Sequence, residues 1–103
     1  MKPTEPQLTA LNRLWKIANG HSGQCKVVAK FLLGLYNGTR FMFDLTDLRG
    51  LDESIFTDCM TVLHLDARNT YAEVHELLNV PGAAFETLAK DWKIKEQPKQ
   101  RKF

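Results

Sequence analysis

Five side chains in this sequence could ligate a transition metal: His21, Cys25, Cys59, His64 and His75. Two ligands on one local element need a Cys-x-x-Cys or His-x-x-x-His spacing, and neither pair occurs. His21 and Cys25 stand four apart, but a helix start is expected between them. No metal ligand is therefore predicted, and His64 and His75 read as partly exposed helix residues. Asp44, Asp47 and Asp52 could offer hard oxygen ligands or an acid–base pair, yet their spacing fits no EF-hand loop. Helix capping explains them more economically: Asp44 or Thr46 for a turn around Leu48, Asp52 for the helix that follows. Ser22 and Ser54, the only serines, fall at expected helix starts and outside a Gly-x-Ser-x-Gly elbow. There is no phosphate-cradling Gly-x-x-x-x-Gly-Lys loop and no dinucleotide fingerprint. The sequence thus predicts no catalytic residue, no cofactor and no enzyme.

Charge gives the remaining chemical signal. Residues 1–45 carry a net +4, residues 46–92 a net −6 and residues 93–103 a net +4. Such segregation points to electrostatic partnering or to a solvated surface. Two sets of binding residues follow. Asp47 and Arg49 in the segment after the second helix, with Glu73 and Glu76 on an acidic face, are candidates for contact with another protein. Lys26 and Lys30, four apart on one helix, with Lys93, Lys95, Lys99, Arg101 and Lys102, could follow a phosphate backbone. No helix rich in Arg, Asn and Gln is present to read bases, so nucleic-acid contact is expected to be weak and salt-sensitive.

The elements that must position these groups are mainly helical. Thr4-Glu5-Pro6-Gln7 is a capping box with proline in the first turn, opening a helix over 5–19 with Leu8, Leu11, Trp15 and Ala18 on one face and Leu14 widening it. Asn19-Gly20 and Asn37-Gly38 read as stops by left-handed glycine. Between them, Ser22 caps a helix carrying Val28, Phe31, Leu32, Leu35 and Tyr36, with Val27 and Leu33 on its flank. Gly34 interrupts that helix at a cost of about 1 kcal/mol, which close packing by another element could offset. The segment 37–52 then changes period twice: Phe41, Phe43 and Leu45 alternate as in a half-buried strand, whereas Leu45, Leu48 and Leu51 recur every three residues. A third helix follows from Glu53 to about Leu65, with Ile55, Phe56, Cys59, Val62 and Leu63 inward and Asp58 and Thr61 outward. A second capping box, Thr70-Tyr71-Ala72-Glu73, opens a short helix through Leu78. After a turn at Asn79-Val80-Pro81-Gly82, a last helix over 83–93 presents Phe85, Leu88, Ala89 and Trp92.

These segments define an all-α single domain, a compact bundle of about five helices over residues 1–94, with one short extended segment near 40–44 and a mobile basic tail at 95–103. Leu11, Trp15, Val28, Phe31, Leu32, Leu35, Ile55, Cys59, Val62, Leu63, Phe85, Leu88 and Trp92 form the expected core. Cys25 and Cys59 lie in amphipathic patterns that suit buried, reduced thiols. No apolar run approaches the roughly 20 residues that span a bilayer, and the N-terminus lacks a secretory pattern, so a cytoplasmic protein is expected. The extended segment has no second strand to pair with, which leaves a dimer through it as an option.

The run Gly23-Gln24-Cys25 through Leu32-Leu33, with Tyr36-Asn37-Gly38, Arg40-Phe41, Phe43-Asp44-Leu45-Thr46-Asp47-Leu48 and Val74-His75, resembles a family of small proteobacterial proteins. That family is found on plasmids and integrative elements. The likeness covers about residues 22–78, and its most specific piece is Phe-Asp-Leu-Thr-Asp-Leu. It implies a bacterial mobile-element setting and brings no activity with it. Three functions follow as expectations: an accessory module that binds another protein, a nucleic-acid-associated regulator using the basic tail, and an inhibitor of a host defence system.

Overall fold

A computed structural model describes residues 2–68 and 72–97. Five α-helices follow in order: α1 (Glu5–Ala18), α2 (Gly23–Tyr36), α3 (Glu53–Arg68), α4 (Val74–Leu77) and α5 (Gly82–Asp91), with a 3-10 helix at Leu45–Gly50 between α2 and α3. No strand occurs among the described residues, so the all-α bundle holds and the 40–44 segment is irregular chain. Thr70 and Tyr71 of the second capping box, and the tail beyond Gln97, lie outside the described residues.

Local chemistry sets the helix starts as anticipated. Gln7 N–H donates to Thr4 Oγ1 at 3.3 Å while Thr4 N–H donates to Gln7 Oε1 at 2.9 Å, and Cys25 N–H donates to Ser22 Oγ at 3.2 Å. Each bond satisfies a backbone amide that the helix leaves without a partner. Before α3 the sequence reading is corrected: Asp52 acts through its backbone rather than by a side-chain cap. Its carbonyl accepts from Phe56 N–H and its N–H donates to Gln24 Oε1 at 2.7 Å, which ties the start of α3 to that of α2. At α4 the cap differs from the sequence reading. Glu73 precedes the helix, and its N–H donates to Glu76 Oε1 at 2.9 Å.

The helix ends correct the sequence reading. No described glycine has positive φ. Gly20 is required for space: a Cβ there would lie 2.7 Å from Cys25 Sγ and 3.2 Å from the Ile17 carbonyl oxygen. Left-handed backbone belongs instead to Asn79 and Lys93. Both close a Schellman motif: Val80 N–H donates to the His75 carbonyl and Asn79 N–H to that of Glu76, while Ile94 N–H donates to that of Ala89 and Lys93 N–H to that of Lys90. Lysine in this conformation costs about 1 kcal/mol through its Cβ, so Lys93→Gly should raise stability by up to about 1 kcal/mol. Urea denaturation checks this; an unchanged or lower midpoint would refute it.

α1 packs chiefly against α2 and α3. The buried face of α1 is Ala10, Leu11, Leu14 and Ala18, that of α2 includes Val28, Ala29, Leu32 and Leu33, and that of α3 is Cys59, Val62 and Leu65. α5 closes the bundle through a ladder of rings. Phe85, fully buried, stacks on Trp15 at 4.8 Å and on Tyr36 at 4.9 Å between centroids. His75 sets its edge on Tyr36 at 5.6 Å. The Trp92 indole N–H donates to the Ala18 carbonyl at 2.8 Å, joining the ends of α1 and α5.

Three expectations about side-chain direction fail. Asp58 faces α1 rather than solvent, because Arg13 grips both its oxygens at 2.8 Å. Leu45 is 72% exposed and Leu63 is 40% exposed, although both were expected to face inward. Leu45 stands where the alternating rhythm gives way to the 3-10 turn. Phe41 and Phe43 already occupy the inward positions, and the turn directs Leu48 and Leu51 to the core. On α3, Cys59 and Val62 take the core face and leave Leu63 one step around the helix.

Candidate functional site

The segment between α2 and α3 builds an apolar groove of about 260 Å³ over the C-terminal half of α2. The chain crosses close over Gly34, at ordinary contact distances that leave room for a Cβ. A Cβ at this position would sit 3.4 Å from the Phe41 carbonyl oxygen and 3.5 Å from Phe43 Cβ, so the crossing chain lies in contact with the helix, the close packing that the glycine had suggested. Phe43 and Phe31 meet edge to face at 5.6 Å and an angle of 80°, and both line the groove. Met42, 68% exposed, stands with Leu45 and Leu63 at the lip. Three large apolar side chains thus meet water around one concavity.

The 3-10 helix beside the groove is held by polar contacts. Asp44 caps the 3-10 helix, accepting from Thr46 N–H at 2.9 Å and Thr46 Oγ1 at 2.8 Å; these bonds lower its pKa. Lys30 Nζ donates to Asp47 Oδ2 at 2.8 Å, joining α2 to the 3-10 helix. Arg49 is exposed in the last turn of that helix.

A second cluster anchors the chain entering the groove. The Arg40 guanidinium pairs with both oxygens of Glu86 at 2.8 and 2.7 Å and with Glu96 Oε1 at 2.6 Å. Tyr36 Oη donates to Glu86 Oε2 at 2.7 Å, and Gln97 N–H donates to the Arg40 carbonyl at 2.7 Å. Residues 96 and 97, placed by sequence in the tail, are therefore tied to Arg40. The guanidinium and the Tyr36 hydroxyl hold the Glu86 carboxyl down to about 2; Arg40 likewise lowers Glu96. Donation to Glu86 raises the Tyr36 pKa.

Both carboxyls have folded pKa values below the ordinary value of 4.5. Their contribution to stability is thus fully present above that value and is lost as pH falls towards about 2, where Glu86 titrates. The urea midpoint should decline over that acid window, and the decline should be shallower in Glu86→Gln. Equal acid profiles for the two proteins would refute the assignment.

The sequence-selected residues are dispersed. Asp47 and Arg49 stand on the 3-10 helix that also carries the groove-lining Leu45 and Leu48, but neither lines the groove. Glu73 and Glu76 are exposed on α4, where the Glu76 carboxylate serves the cap, and neither lines the groove. Lys26 is exposed on α2, whereas Lys30 is engaged by Asp47. Lys93 and Lys95 are exposed beyond α5; Lys99, Arg101 and Lys102 lie outside the described residues. Among the described residues no three His, Cys, Asp or Glu side chains are grouped to hold a metal. No described helix is long and apolar enough to cross a membrane. Sequence reasoning missed Leu45 and Leu63 as surface residues, since an apolar residue in an amphipathic pattern reads as core.

Fold and site together define a small all-α domain bearing an apolar groove beside a 3-10 helix held by polar contacts. The chain belongs to DUF7673, a family of unknown function whose model matches residues 8–93. No curated protein and no solved structure matches it.

Proposed function

We propose that this chain is a small non-enzymatic accessory protein of a bacterial mobile element, acting as a protein-interaction module through the groove above Gly34. The observation that carries the reading is the exposure of Met42, Leu45 and Leu63 around one apolar concavity. Scattered apolar residues are ordinary on a protein surface, whereas a contiguous patch is characteristic of binding faces. Asp44, Asp47 and Arg49 of the adjoining 3-10 helix and its cap would supply orientation, and the apolar lip most of the affinity. The mobile-element setting rests on the resemblance carried by Phe43 to Leu48.

The experiment is a pull-down from a bacterial host with the wild-type chain and Met42→Asp/Leu45→Asp. Both substituted side chains are exposed, so the helical signal and melting temperature should be retained while a defined partner is lost. Glu73→Lys/Glu76→Lys should leave recovery unchanged. Undiminished recovery with the groove variant would overturn the reading, and loss only with the α4 variant would move the interface there. A nucleic-acid regulator is the second reading, favoured by the exposure of Lys26, Lys93 and Lys95. It requires binding that weakens steeply with salt.

A further inference from the structure

A second concavity, of about 280 Å³, opens where the last turns of α1 and α5 meet. Its walls are Ala18, Asn19, Gly20 and His21 from the end of α1, and Leu88, Asp91 and Trp92 from the end of α5. We propose that this cavity binds a small organic cation, an ammonium or guanidinium group carried on a short apolar stem.

Three independent features favour that chemistry. The ends of α1, 14 residues long, and α5, 10 residues long, converge there, and each helix presents the negative end of its dipole, which favours a cation. Asp91 is exposed and makes no ion pair with a described residue, so its carboxylate is available as a counter-charge. Trp92 adds an aromatic surface, the best side chain for cation–π contact, and its indole is fixed by the bond to the Ala18 carbonyl. Leu88 and Ala18, both buried, close the floor of the cavity. Lys16 and Lys90 share these last turns, but both are exposed and neither lines the cavity. The volume lies just below the range of drug-sized pockets, which suits an amine of a few carbons or one Lys or Arg side chain of a larger molecule.

The test follows the Trp92 indole N–H by NMR in the full chain, assigned with Trp15→Phe, during titration with n-butylammonium, n-propylguanidinium, lysine and arginine blocked at both ends, and 1-butanol. The cations should give a saturable shift with a Kd on the order of 1 mM, and 1-butanol should give none. Asp91→Asn, at an exposed position, should weaken the cations about tenfold or more. Binding of free amines alone would identify a small-molecule ligand, whereas equal binding of blocked lysine or arginine would identify a partner's side chain; either outcome supports the site. Absence of saturation, an equal response to 1-butanol, or undiminished binding in Asp91→Asn would overturn it.

Discussion

Phe85→Ala should lower the stability of this domain by about 3–5 kcal/mol, a large part of the roughly 5–15 kcal/mol typical of a folded domain. The ring is fully buried and sandwiched between Trp15 of α1 and Tyr36 of α2. Its removal leaves a cavity and ends both stacking contacts, each worth about 0.5–1.5 kcal/mol beyond burial. Tyr36 is further constrained by its bond to Glu86, so it cannot collapse freely into the space. Phe85→Leu retains most of the volume and should lose markedly less. Urea denaturation of the two variants separates these expectations, and a loss below about 1 kcal/mol for alanine would show that the ladder contributes little.

Cys25 should react far faster than Cys59 at pH 8, since only the thiolate attacks. Cys59 is buried on α3, and burial pushes its pKa up to about 12. Cys25 is partly exposed, and the Ser22 hydroxyl, 3.1 Å from its sulfur, shifts its pKa downward. A disulfide reagent such as DTNB should therefore titrate one thiol rapidly in the native protein and two in urea. Cys25→Ser should abolish the rapid phase. Two rapid equivalents in the native state would contradict the burial of Cys59.

How much of this was legible in the sequence depends on whether a residue's role is decided locally. Thr4 with Gln7, Ser22 and Asp44 act within a few residues of themselves, and their caps followed from composition and spacing. The apolar stripes gave the helices and most of the core, because burial imposes a period of 3.6. Roles set by distant partners were not legible. Asp58 turns inward only because Arg13, on another helix, is opposite. The groove was half visible: the double change of rhythm marked the segment, and Gly34 signalled a close neighbour. What the pattern could not say was that Leu45, in step with the inward Phe41 and Phe43, would turn outward beside Met42.

The ring ladder also sets a timetable for the chain as it is made. Trp15 and Tyr36 are synthesised long before Phe85, which completes the stack, and Trp92 follows later still to reach Ala18. At about 5–20 residues per second, the wait between Trp15 and Phe85 is on the order of 3–14 s. From the synthesis of Tyr36 onward, about 2–10 s of that interval, the α1–α2 pair carries its aromatic surface uncovered.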